Sequence, residues 1–238
     1  DSLDRDVRQG TLFYLQLFRL CNMPETLLLP HGRPKPGPYA DQLARIDAIV
    51  ARRRESLVGS KNSEKLAIAT EKVGEMLDAG EKVVVFARHT RNCILPLAEH
   101  WRKWRPLLFT GSQGPAERDE AKEAFKRSCD RNLMLMSDAG QVGLNLQESR
   151  YLLHWDTPAS RAAYDQRRDR VHRVDSSFDS VTVVRMMARG TVEERAEQAM
   201  QGRLAMSMSM GFGGAASGAC PLADRDADAF AFDFGRRK

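Results

Sequence analysis

Residues 166–173 read QRRDRVHR, four arginines in eight residues with a single valine for apolar company. At about 100° per residue, a helix brings Gln166, Arg170 and Arg173 within roughly 60° of one another. Arg167 and Arg168 then project elsewhere, and Val171 can pack inward. A glutamine with two guanidiniums on one face suits a polyphosphate, because planar forks pair with phosphoryl oxygens and stay charged at any relevant pH. The same residue types also suit a solvated basic helix, and His172 alone reads as a packing or hydrogen-bonding residue. Three further segments follow apolar runs and carry anion-binding residue types. Arg88-His89-Thr90 follows KVVVFA, Thr110-Gly111-Ser112 follows PLLF, and Asp138 to Leu146 follows NLMLMS. Glycine-spaced polar turns let backbone amides approach an anion such as phosphate. Turns after strands also favour Gly, Ser and Asp for conformational reasons alone.

The elements that must position these residues alternate along the chain. SEKLAIATEKVGEMLDAG reads as a helix with Ser63 as cap and Gly80 as stop, and Pro115 to Arg127 as a charged helix with proline in its first turn. Thr90 to Trp104 reads as helical, and TVEERAEQAMQ as a closing helix. KVVVFA, PLLF, NLMLMS, YLLHW and VTVVRMM are short apolar runs of the kind that form strands buried on both faces. Strands alternating with helices predict an α/β domain, a parallel sheet covered on both faces, with ligands outside the carboxyl ends of the strands. Ahead of it, TLFYLQLFRLCN and DQLARIDAIVARRRESL read as helices, the second with a stripe of Leu43, Ile46, Ile49 and Val50, separated by the loop PHGRPKPGP. GSKN at 59–62 reads as a joint. The expected organisation is a helical segment over 1–60, the α/β lobe over 61–205, and a flexible or docking tail over 206–238.

Composition narrows the partners. A net charge of +5 tilts toward an anionic partner, nucleic acid first. No apolar run approaches the roughly 20 residues of a membrane span. The four cysteines form no C-x-x-C pair, so thiols in a reducing compartment are expected rather than structural zinc. The chain opens Asp-Ser-Leu without an initiator methionine and reads as a fragment or processed product of a cytoplasmic or nuclear protein.

The order KVVVFARHT, LLFTGS, LMSDAGQVGLNL, YLLHWDTP, QRRDRVHR, VTVVRMMARGTVEER resembles the carboxyl-terminal RecA-like lobe of Snf-type ATPases, which are double-stranded DNA translocases of helicase superfamily two. LFYLQLFRLCNMPETLL is similar to the helical stretch that precedes this lobe in the same family, and the resemblance covers about residues 10 to 202. It implies that Arg170 and Arg173 are arginine fingers, worth on the order of 10³ to 10⁵ in phosphoryl-transfer rate. It implies that Gln166, Gly143 and Asn145 lie on the nucleotide side. Arg88, Thr90, Thr110, Gly111 and Ser137 match positions that grip the DNA backbone, a sequence-independent and salt-sensitive contact. The sequence departs from the family where Gln141 replaces a second glycine, where HWDTPAS is shorter than D-x-x-W-N-P, and after Arg173, where Gly-Gln is absent.

A self-sufficient ATPase of this class needs a phosphate-cradling loop and an acidic Mg²⁺ site. No G-x-x-x-x-G-K-[ST] occurs, and DEAK at 119–122 sits among charges in the middle of a helix, with Asp119 and Glu120 as helix surface. ATP and Mg²⁺ are therefore expected to be held by an amino-terminal RecA-like lobe that this chain lacks, with double-stranded DNA as the other partner. Alternatives are a nucleic-acid-binding or scaffolding module that has lost motor activity, and an RNA helicase lobe. Against the latter, Asp169 stands where RNA-directed members carry glycine.

Overall fold

The computed structural model describes residues 15–17, 19, 22–23, 40–52, 63–138, 145–158, 160–172, 178 and 180–209. Among them, five strands form one all-parallel sheet: β1 (Val83–Phe86), β2 (Leu107–Phe109), β3 (Leu133–Met136), β4 (Tyr151–His154) and β5 (Thr182–Arg185). Their order across the sheet is β2-β3-β1-β4-β5. The helices are α1 (Ala40–Arg52), α2 (Glu64–Asp78), α3 (Leu95–His100), α4 (Pro115–Arg127), α5 (Arg161–Val171) and α6 (Val192–Ser209).

Strand periodicity builds the core. Successive side chains of a strand point to opposite faces. Val83 and Val85 join Leu133, Leu135 and Leu153 on one face, packed against Leu66, Ala69 and Val73 of α2 and Leu97 and Trp101 around α3. Val84 and Phe86 join Met134, Met136 and Leu152 on the other, against Phe125 of α4 and Val171 of α5. Both faces of the central strands are therefore apolar, and the runs read as continuous rather than alternating. The edge strand β5 is only half-buried at Val183 and Val184.

Local signals fix several element ends. The Ser63 hydroxyl accepts the Leu66 amide at the start of α2, and Gly80 takes the left-handed backbone (φ 78°) that ends the turn after it. α4 begins at Pro115, whose missing amide hydrogen would have had no partner in a first turn. The segment expected as one helix over Thr90–Trp104 is instead three pieces: a π-turn over Thr90–Ile94, then α3, then a 3₁₀ turn over Arg102–Trp104. Pro96, in the first turn of α3, has no amide to continue the ladder backwards.

The leading segment contributes to the lobe itself. Met23 belongs to the core cluster around Trp155. Lys65 Nζ donates to Asn22 Oδ1 at 2.8 Å and to both oxygens of Glu193 at 2.7 and 2.8 Å, and lies 5.2 Å from the centre of the Trp155 ring. This buried ion pair joins the leading segment, α2 and α6. The apolar stripe expected on α1 is only partly covered, with Ile46 and Val50 half-buried and Ile49 half exposed, and the side chain of Leu43 is outside the described residues. α6 continues past Met206 to Ser209; the expected tail beyond it, like the joint at 59–62, lies outside the described residues. No helix among the described residues is long and apolar enough to cross a membrane. Cys93 and Cys129 are free thiols.

Candidate functional site

Register gathers the candidate residues. Phe86 pairs with Met136 and with His154, Met136 pairs with Phe109, and His154 pairs with Arg185. All five strands thus end level, and the residues that follow them meet along one carboxyl rim.

On the β2–β3 side of that rim, the Ser137 amide donates to Phe109 O at 3.1 Å and the Gly111 amide donates to Ser137 Oγ at 3.3 Å. Thr110 is buried; its amide donates to Gln113 Oε1 at 2.8 Å and its hydroxyl lies 2.9 Å from that of Ser112. Thr110, Gly111 and Ser137 are therefore one hydrogen-bonded cluster. Arg88 follows β1, where its amide donates to Asp156 Oδ2 at 2.6 Å, and Thr90 opens the π-turn beyond it. Burial lowers the pKa of the intervening His89, with the nearby Arg88 guanidinium acting in the same direction and the carboxylates of Asp156 and Asp138 opposing it.

On the α5 side, the Ser160 hydroxyl caps the helix by accepting the Ala163 amide. Gln166 is exposed and Arg170 half-buried, one turn apart. The loop after β3 returns to this helix: the Leu146 amide donates to Arg170 O at 2.9 Å, and the neighbouring Asn145 Nδ2 donates to Gln147 Oε1 at 2.8 Å. α5 ends at Val171, with His172 extended (φ −99°, ψ 105°). Arg173 and Gly143 lie outside the described residues. Asp119 and Glu120 are exposed on α4, as expected for helix surface.

The residue that sequence reading set aside is the centre of the rim. Arg167 has no exposed surface. Its Nε and Nη2 donate to Asp138 Oδ1 and Oδ2 at 2.7 and 2.8 Å, a two-toothed pairing. Nη2 also reaches Asp156 Oδ1 at 3.3 Å, and Nη1 lies 3.2 Å from His154 Nδ1. Burial by itself disfavours the charged guanidinium, but the Asp156 charge and the Asp138 hydrogen bonds outweigh it and leave the pKa raised. Because a guanidinium only donates, His154 Nδ1 must accept, which makes the ring neutral with its proton on Nε2. Burial, reinforced by the Arg167 charge, lowers the His154 pKa to about 3. The ring is stacked on Tyr164 at 5.0 Å. Two signals pointed to this network: Arg167 lies four residues before the buried Val171 on the same helix face, and an aspartate follows soon after each of two apolar strands.

Comparison with known proteins gives the arrangement a family. Residues 64–175 match the helicase conserved C-terminal domain. Over 186 residues, 76% of the chain, the sequence is 29% identical to the human "SWI/SNF-related matrix-associated actin-dependent regulator of chromatin subfamily A member 1", and the match spans 16% of that protein. Over 146 residues, 60% of the chain, it is 30% identical to the chromatin-remodeling ATPase INO80 of Cryptococcus neoformans var. neoformans serotype D (strain B-3501A), of which the match spans 8%. The backbone is similar to the Sulfolobus solfataricus SWI2/SNF2 ATPase core solved in complex with dsDNA, with a TM-score of 0.56 and 20% identity over 94% of this chain and 45% of that one. That structural likeness speaks for the fold; the sequence matches carry the kinship. A level parallel rim backed by α5, a match to the helicase C-terminal domain, and an alignment to one small part of much longer SWI/SNF and INO80 ATPases together support a carboxyl-terminal RecA-like lobe of the Snf-type helicases of superfamily two.

Proposed function

We propose that this chain is the carboxyl-terminal motor lobe of an ATP-dependent double-stranded DNA translocase. In this reading, Arg170 and Arg173 are arginine fingers that reach the phosphates of ATP held by an amino-terminal RecA-like lobe. Gln166, Gly143 and Asn145 lie toward the nucleotide. Arg88, Thr90, Thr110, Gly111 and Ser137 contact the DNA backbone. The observation that carries the reading is the division of the carboxyl rim: a hydroxyl- and amide-rich cluster at β2–β3, and a separate helix-borne Gln166 and Arg170 beyond β4. Backbone amides and hydroxyls suit phosphodiester contacts, which read no sequence. Guanidiniums suit the charge that builds on a transferring phosphoryl group.

The hydroxyls, amides and guanidiniums of the rim are donors of the kind that suit phosphate, and in this reading ATP and Mg²⁺ are held by the amino-terminal lobe. Among the described residues, no group of three or more His, Cys, Asp or Glu is arranged to hold a metal. Asp138 and Asp156 are engaged by Arg167. When bound, Mg²⁺ would neutralise phosphate charge from the far side of the cleft. This chain's part is to present cations to the near side and to hold the DNA backbone while the cleft opens and closes. The boundaries proposed are residues 1–60 as bridging helices, 61–205 as the lobe and 206–238 as a tail, within a nuclear or cytoplasmic protein.

The test joins this chain to its amino-terminal lobe in one polypeptide and measures ATP turnover with and without duplex DNA. Arg170→Ala and Arg173→Ala should each lower stimulated turnover by about 10³-fold or more. Unchanged turnover in both variants would remove the finger assignment. Duplex binding without any turnover would favour a scaffolding module that has lost its motor, and stimulation by RNA in place of DNA would favour an RNA helicase lobe.

A further inference from the structure

We propose that Arg167 is a positioning residue that makes the strand ends and α5 respond as one body, relaying DNA contact at the β1–β3 rim to the arginines that face ATP. This role rests on the translocase reading. Position 167 lies on the inner face of α5, one turn before buried Val171, where an aliphatic side chain would pack at no cost in ion desolvation. A buried guanidinium there contributes geometry. It joins Asp138 after β3, His154 at the end of β4 and Asp156 beyond it.

The connections extend to both proposed sites. Asp138 directly follows Ser137, which accepts the Gly111 amide, so the network begins within the cluster proposed to touch the DNA backbone. Asp156 uses its second oxygen to accept the Arg88 amide, so the β1 end is held by the same carboxylate. At the other end, Arg167 lies one turn from Arg170, whose carbonyl accepts the Leu146 amide from the loop that Asp138 opens. Each link is a hydrogen bond or ion pair in a buried or half-buried setting, where such links resist distortion more than in water. A displacement imposed at Ser137 or Arg88 therefore moves α5 with it. A lysine in place of Arg167 keeps one charge near Asp156 but offers a single donor centre, which cannot span Asp138, Asp156 and His154 together.

The experiment uses the two-lobe polypeptide. Basal and duplex-stimulated ATP turnover, KM for ATP and thermal unfolding are measured for wild type, Arg167→Lys and Asp138→Asn. The side chain of Asp138 is 27% exposed, so the second variant keeps the shape of the network and remains informative if the first does not fold. The expected result is a stimulation factor reduced about tenfold, the scale of an ordinary coupling free energy, with basal turnover and KM nearly unchanged. A purely structural role predicts that basal and stimulated turnover fall together, leaving their ratio intact. That result, or full stimulation in both folded variants, overturns the relay while leaving the motor reading standing. A wild-type polypeptide with no DNA stimulation removes both.

Discussion

The two rims of the sheet carry charge in opposite ways. At the amino rim, where the strands begin, the ion pairs are open to water: Arg105 and Asp130 meet at 2.9 Å with about two thirds of each side chain exposed. Arg127 and Glu123 pair on the surface of α4 in the same manner. Lys82 caps the carboxyl end of α4 by donating to the carbonyls of Phe125 and Lys126, a local repair of a helix end. At the carboxyl rim, Arg167 and Asp156 have no exposed side-chain surface at all. The amino rim can lose a partner and let water replace it. The Arg167–Asp156 pair cannot, because either ion left alone there has no water to take its partner's place. Charge buried at such cost, beside the proposed phosphate contacts, is where position matters most.

The contrast is sharpest in Arg167→Ala. Removing the guanidinium leaves Asp156 buried and uncompensated, and should cost about 3–5 kcal/mol in denaturant unfolding. A loss below about 1 kcal/mol would mean that water enters the carboxyl rim as freely as the amino rim, and the distinction between them would fail.

Acid should act on the carboxyl rim through His154. Its pKa in the folded protein is about 3, against an ordinary value of 6.5. Between those values the unfolded chain holds a proton that the folded chain does not. Stability conferred by the neutral ring is therefore lost as pH falls from about 6.5 toward 3, by up to about 1.4 kcal/mol per pH unit. Comparing unfolding free energies of wild type and His154→Gln across this range isolates the contribution, since titrating carboxylates act on both. Parallel curves would show that the ring is hydrated when folded.

The smallest effect is expected at the amino rim. Arg105→Ala should change stability by no more than about 0.5 kcal/mol, and less in high salt. A loss comparable to that of Arg167→Ala would make the exposed pair a structural clamp and abolish the comparison.

How much of this was legible varies with the range of the forces involved. The strands could be read because each is a run of apolar residues too short for a helix, and both faces of a central parallel strand demand such residues. The Ser63 cap, the Gly80 turn and the start of α4 at Pro115 could be read because each is settled within a few residues of chain. The helical wheel that grouped Gln166, Arg170 and Arg173 placed the first two one turn apart on α5, and Arg173 lies outside the described residues. It also assigned Arg167 no role, since its partners Asp138 and Asp156 stand 29 and 11 residues earlier and become neighbours only when the strands align. In the same way, nothing in the motif around Asn22 points to Lys65 and Glu193, from 43 residues away and from the far end of the lobe.

The sequence by itself therefore determined the alternation of elements, the two-faced core and the family. The first two follow from hydrophobic pattern and local backbone chemistry, which act over a few residues; the family came from the resemblance carried by the ordered motifs. Only the tertiary structure decided that, of Arg167, Arg168 and Arg170, the first is buried as a strut while the others stay half-buried. That choice depends on where carboxylates from distant strand ends come to lie, and on the low dielectric that makes leaving them unpaired so costly.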